Sequence, residues 1–328
     1  MTIDLLILPY YNGTIINHEG KTIMKKLIAI IAILALAITM FASCTQATNP
    51  DSADYDKLLK EIKATNTGAN GTLTVSISPD FAPMEFCDVS KTGQDTYVGF
   101  DVLLANYIAA ELDMKLEIKP LDFNACQAAV ETKSVDMSIS GYSYTETRAA
   151  NFLLSDVYYT GESDSAQAII TTKANEGKFT KAADFSGLTI GAQTASLQYN
   201  LCTSQLPADC TIKEFVSIDT AVESLIAGKI DALAVAEGNG DVIINNNSTK
   251  LAFSGFLFEI TSDMENNLIL LNKDSAELCE KVNAALAKAL AAGYYPIWNA
   301  AAEKYAGSSN AAEIGYDESG NKVEKVEG

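Results

Sequence analysis

From Thr72 to Val235 the chain alternates short apolar runs with stretches whose apolar residues recur every three or four positions, a pattern that few folds can satisfy. Leu73, Val75 and Ile77 form one strand face, which the prolines at 79 and 83 interrupt. Asp101 is of the residue type that caps a helix, and Leu104, Ala105, Ile108 and Leu112 behind it share one helical face. The order then repeats, with a strand over 115–119, a helix over 124–132, a strand over 136–140 and a helix opened by Thr145 that turns Ala149, Phe152 and Leu153 inward. A second series places strands at 168–172, 188–192, 211–216 and 230–235. Helices are expected between them at 196–205 and after Asp219, the latter carrying Val222, Leu225 and Ile226 and stopping at Gly228. Extended runs at 253–260 and 268–272 and helices at 275–291 and 296–305 complete the chain. Such alternation packs as parallel sheets covered by helices, and 328 residues divide more readily into two α/β lobes than into one.

The compartment is legible ahead of the fold. Lys25 and Lys26 precede an uncharged run over 27–41, shorter than the roughly 20 apolar residues a bilayer-spanning helix needs, and the run ends in Phe41, Ala42, Ser43 and Cys44. That ending reads as the cleavage site of a bacterial lipoprotein signal, with Cys44 as the lipidated first residue of the mature protein. A secretion signal begins near its basic residues, so residues 1–23 are expected to be an upstream extension, translation starting at Met24, with 24–43 the signal. Residues 44–71 then form an anchor and tether, including a short charged helix over 54–63, and 307–328 a loose polar tail. The mature protein is expected on the outer face of the cell membrane, held by lipid.

Composition removes several function classes. With 23 basic against 42 acidic residues the formal charge is −19, and no basic patch offsets it, so nucleic acid is not an expected partner. The single histidine, His18, precedes the expected start, which takes away histidine metal sites and Ser-His or Cys-His catalysis. No metal and no cofactor is expected. Beyond Cys44 the cysteines are Cys87, Cys126, Cys202, Cys210 and Cys279, an odd set without metal spacing. Cys202 and Cys210 are either a local disulfide, as export permits, or two buried thiols.

Seven segments carry a family resemblance over nearly all of 72–305: SPDFAPMEF at 78–86, GFDVLLA at 99–105, VDMSISG at 135–141, TETR at 145–148, FLLSDVYY at 152–159, GLTIGAQ at 187–193 and GKIDA at 228–232. In this order and spacing they resemble the bacterial extracellular solute-binding proteins of the polar amino acid ABC transporters, family 3. The resemblance implies a type II periplasmic-binding-protein fold, in which two α/β lobes joined by two hinge strands close on a ligand. It places lobe one at 72–166 plus 260–306 and lobe two at 167–259, with crossovers near 165–171 and 255–261. It implies an amino acid-like small molecule as ligand, an ABC permease as partner, a monomer, and binding without chemistry.

The candidate site residues converge beyond the carboxyl ends of the strands, where ligands of α/β sheets bind. Arg148 sits in the first turn of its helix, where the dipole disfavours a cation, so it needs an anion: a ligand carboxylate, as the resemblance implies, or a surface acid such as Glu146. Ser140, Gly141 and Ser143 are placed to offer a carbonyl and hydroxyls; read alone they are turn residues. Thr194 and Ser196 open a helix and would aim N–H groups at the same carboxylate, besides capping it. Phe81 and Phe123 match positions that sandwich a ligand side chain, or pack as core, and Gln193 and Gln198 are contacts or surface. The family's ammonium-binding Asp is Ala236 here. Either Glu237 takes its role by a shift of one residue, with Gly238-Asn239-Gly240 read as a loop, or the ligand lacks an α-ammonium. Two rival functions use the same scaffold: a prephenate or arogenate dehydratase relying on an acid such as Glu237, and a stand-alone ligand sensor.

Overall fold

The computed structural model describes residues 54–160, 166–307, 315–316 and 322–323. The upstream extension, the signal, Cys44, residue 165 of the first expected crossover and most of the 307–328 tail lie outside them. Helix α1 (Tyr55–Ala64) starts on Asp54, whose carboxylate accepts the Lys57 amide proton. Tyr55 and Leu59 are buried in the first core, and the Tyr55 hydroxyl both donates to the Gly99 carbonyl and accepts from the Gly99 amide. The folded body therefore begins at Tyr55, earlier than the expected Thr72.

Then follow β1 (Thr72–Ile77), α2 (Phe100–Glu111), β2 (Lys115–Pro120), α3 (Phe123–Glu131), β3 (Met137–Ser143), α4 (Glu146–Asn151) and β4 (Leu153–Leu154). The chain crosses over and builds β5 (Gln167–Thr172), β6 (Thr189–Gln193), α5 (Leu197–Gln205), β7 (Thr211–Phe215), α6 (Ile218–Ile226), β8 (Ala232–Ala236), α7 (Glu237–Asn246) and β9 (Leu251–Leu257). It returns to add β10 (Asn266–Leu271), α8 (Ala276–Ala291) and α9 (Tyr294–Ala306). Two sheets result, ordered β2-β1-β3-β10-β4 in the first lobe and β7-β6-β8-β5-β9 in the second. The central pairs β1/β2, β1/β3, β6/β7 and β6/β8 are parallel. Strands β5, β9 and β10, which adjoin the crossovers, run antiparallel to their neighbours, so the sheets are mixed and not purely parallel. At the second-lobe end Leu257 pairs with Ala168, which sets the two crossing segments side by side.

Local chemistry corrects two helix starts. Helix α2 begins on Gly99, at φ 121°, because a Cβ there would lie 2.2 Å from the Met84 carbonyl oxygen. Asp101, expected as its cap, is inside the first turn and fully buried. Helix α6 is capped by Ser217, whose hydroxyl accepts from the Thr220 amide, with Asp219 in its first turn. Helix α2 is buried along most of its length, because it lies against α1, α8 and α9 in the core of the first lobe. Cys202 is packed in the second core, Cys210 donates its thiol to the Phe185 carbonyl, and both are free thiols. Among the described residues no helix is long and apolar enough to cross a membrane.

Candidate functional site

A cavity of about 390 Å³ opens between the lobes, at the carboxyl ends of β1, β3, β6 and β8. Arg148 lines it. Thr145 caps α4 by accepting the Arg148 amide proton, which fixes the start of the helix and the direction of the side chain. The side chain is 4% exposed and lies over the rings of Phe123, at 5.4 Å, and Tyr142, at 5.1 Å. Nη1 donates to the Ser143 carbonyl at 2.7 Å, Nε to Gln127 at 3.4 Å, and Nη2 across the cleft to the Ala195 carbonyl at 3.1 Å. No carboxylate of the described residues lies within ion-pair distance, and Glu146 instead accepts from Tyr144. Burial pulls the guanidinium down to about 10, the mark of a desolvated cation held by neutral carbonyls. Such a group gains most from an anion that enters the cavity.

The floor is a bulge in β3. Opposite the single residue Ile269, Ile139, Ser140 and Gly141 leave the ladder. Gly141 stands at φ 54°, and a Cβ would come within 2.7 Å of the Phe81 ring, so ring and backbone approach each other only through glycine. The Ser140 hydroxyl points inward, accepting from the Ser78 amide and donating to Glu85, and is therefore committed beneath the floor. The Gly141 amide donates to Asp101 at 2.9 Å, and Tyr158 donates to the same oxygen at 3.1 Å. Glu85 and Asp101 are in contact with each other in the dry interior, and burial raises both, Asp101 to about 7 and Glu85 well above the carboxylate range with the charge of Asp101 adding to it. Burial thus makes the pair hold protons to higher pH than exposed carboxylates do, beneath the floor of the cavity.

The second lobe supplies a helix start. Ser196 caps α5, accepting from the Tyr199 amide, while its own amide donates to Gln193. The next two amides, of Leu197 and Gln198, have no acceptor among the described residues, and both residues line the cavity. Thr194 does not line it: its amide and hydroxyl both go to the Phe215 carbonyl. The donors therefore sit just after Ser196, an offset that follows once Ser196 is read as the cap. Gln193 lines the cavity and donates to Asp80.

Phe81 and Phe123 both line the cavity, and Phe81 packs against the cores of both lobes. Ser143 lines it as well, its carbonyl holding Arg148. The expected loop after Ala236 is instead helix α7, beginning at Glu237. Gly240 is tolerated there because a Cβ would meet the Phe253 ring at 2.8 Å and Val235 at 3.0 Å: the helix needs glycine to lie against its strands. On that helix Gly238, Asp241, Val242 and Asn245 face the cavity and Glu237 does not, so Glu237 is not placed to act on a bound ligand. Asp241 is the acidic lining residue of α7 that the sequence reading missed; helical spacing from Gly238 was its signal. Glu265 and Glu303 add two further carboxylates to the lining. Among the described residues no cluster of three or more His, Cys, Asp or Glu is placed to hold a metal ion.

Comparison with known proteins agrees with this fold. The chain is 29% identical over 216 residues, 65% of its length and 79% of the relative's, to the arginine-binding extracellular protein ArtP of Bacillus subtilis. It is 23% identical over 272 residues, 83% of its length and 91% of the relative's, to the L-cystine-binding protein TcyJ of Escherichia coli. Among solved structures, the amino acid ABC transporter substrate-binding protein AbpA of Streptococcus pneumoniae, bound to L-arginine, superposes with a TM-score of 0.67 at 29% identity, covering 76% of this chain and all of the other. An ancestral arginine-binding protein bound to glutamine gives 0.63 at 29% identity, covering 73% and 99% of the two chains. The pattern of the bacterial extracellular solute-binding proteins, family 3, matches residues 73–307, and the chain belongs to that family.

Proposed function

We propose that this protein captures an L-amino acid between its lobes and delivers it to the permease of an ABC importer, tethered outside the cell membrane through Cys44. The observation that carries the reading is Arg148, a buried cation that bridges the lobes without a carboxylate of its own. A ligand α-carboxylate takes the guanidinium from the first lobe and the Leu197 and Gln198 amides from the second, so one anion is bound fully only when both lobes meet. Phe81 and Phe123 bound the space for the side chain. The charged lining is Arg148 against Asp241, Glu265 and Glu303, a balance that suits an amino acid with a cationic side chain, and arginine, named for several relatives, is the first candidate.

A thermal-shift screen of the mature protein against the amino acids, cystine and small organic acids tests this. Ligand at about a hundred times its dissociation constant stabilises by about 2.7 kcal/mol and raises the melting temperature by several degrees. A rise confined to one or a few L-amino acids, the cationic ones foremost, is expected. No rise with any amino acid would overturn the reading.

A further inference from the structure

Asp80 follows β1 in the proline-flanked turn of the first lobe, 9% exposed and outside the lining of the large cavity. One carboxylate oxygen accepts from the Ser78 hydroxyl at 2.9 Å, within its own lobe. The other reaches the second lobe twice, accepting from the Ile218 amide at 2.8 Å and from the Gln193 side chain at 3.0 Å. Ile218 is the first residue of α6, and the cap Ser217 binds the Thr220 amide, which leaves the Ile218 N–H to an acceptor from outside the helix. Beside this contact Asn239 of α7 donates to the Ala82 carbonyl of the first lobe at 2.9 Å. The contact is thus a built seam between the lobes, one residue away from Phe81 and the ligand space.

We propose that Asp80 is the latch of the closed cleft, a positioning residue that holds the lobes together without touching the ligand and sets how long the ligand stays. This rests on the capture reading above. When the cleft opens, water reaches the carboxylate, the Ile218 amide and the Gln193 side chain, and none is left unpaired; when it shuts, the Ile218 amide has only Asp80, and the Gln193 side chain has Asp80 and a longer contact with the Val216 carbonyl. Their bonds exist in one state alone, so they bias the closing equilibrium and leave the first encounter with Arg148 unchanged. The other titratable groups that face Asp80 are carboxyls: Asp219 of α6 lines the same small gap, and Asp122 and Glu85 act on it from the first lobe. With no cation beside it, burial raises Asp80 to about 6 in the shut form. Opening returns it to water and toward the ordinary carboxylate value, so shutting the cleft takes up a proton and release slows as pH falls from 8 to 5.

The test is the dissociation rate, by stopped flow, of the amino acid that the screen identifies, for wild type, Asp80→Ala and Asp80→Asn, with the melting temperature of each ligand-free protein alongside. Asp80→Ala leaves the Ile218 amide without an acceptor in the shut form and should release ligand about tenfold faster, with association and the ligand-free melting temperature unchanged. Asp80→Asn keeps an acceptor for the Ile218 amide, so it should release more slowly than the alanine variant and lose the dependence on pH. Equal dissociation rates for wild type and Asp80→Ala overturn the latch while leaving capture intact. A loss confined to the ligand-free melting temperature makes Asp80 merely structural and overturns it too. If wild type binds no amino acid, the capture reading falls and the latch falls with it.

Discussion

The two lobes face the same cavity with different chemistry. The first supplies a buried cation, Arg148, stacked on Phe123 and Tyr142 and set above a floor held by the Glu85 and Asp101 pair. The second supplies the neutral amides that open α5 and, from α7, the carboxylate of Asp241, over a core of Ile, Leu, Phe and Ala. The difference assigns the order of events. A rigid charge on the first lobe is able to hold an anion while the cleft is open, whereas dipoles on the second add strength only as water leaves on closing. The Ala195 carbonyl on Arg148, with Ala195 itself at φ 62°, shows how closely the second lobe approaches when shut.

The sharpest way to break this contrast is Arg148→Ala. It removes the charge that the second lobe has no means to replace, and titration calorimetry should show affinity lower by at least about 100-fold, with the ligand-free fold intact. A loss of less than threefold would put the anchor elsewhere.

The floor pair gives the next effect. Asp101 in the folded protein titrates near 7, above its unfolded value of about 3.9, so its contribution to stability is complete below about pH 4 and is lost as pH rises through 7. The melting temperature should therefore be higher at pH 5 than at pH 8, by the equivalent of about 2 kcal/mol. Asp101→Asn removes the acid that titrates while keeping an acceptor for the Gly141 amide, and should flatten that profile; an unchanged slope would show that Asp101 is not its source.

The smallest effect belongs to the second lobe. Ser196→Ala removes the cap of α5 and should cost about 1 kcal/mol of stability while lowering affinity only a few-fold, because the Leu197 and Gln198 amides remain. If Ser196→Ala equalled Arg148→Ala in affinity, the division of labour between the lobes would be wrong.

Much of this was readable from the chain. Helix starts at Thr145 and Ser196 and the strand ends that face the cleft follow from local residue chemistry, whereas the choice for Arg148 between a ligand carboxylate and a surface acid stays open in the sequence. What was not readable depended on approach between distant segments. Gly238 to Gly240 looks like a loop until Phe253 and Val235 are known to press on Gly240. Asp101 looks like a cap until Met84 is seen to exclude a side chain from position 99 and Gly141 is seen to claim the carboxylate. Asp80 reads as part of a strand-breaking turn, since its partners Gln193 and Ile218 are more than a hundred residues away. Thr194 reads as a site residue because its amide looks free in the sequence, and only the β7 register shows Phe215 taking it.

The measurement that bears most directly on the central claim is a calorimetric titration with the amino acid giving the largest thermal shift and, in parallel, with the amine left when its carboxylate is removed. If the carboxylate is what Arg148 and the start of α5 bind together, the amino acid should bind one to one and the amine at least about 100-fold more weakly. Equal affinity for the two would contradict the account, since Arg148 would then be buried in the wall of the cleft for some purpose other than holding the ligand's acid group.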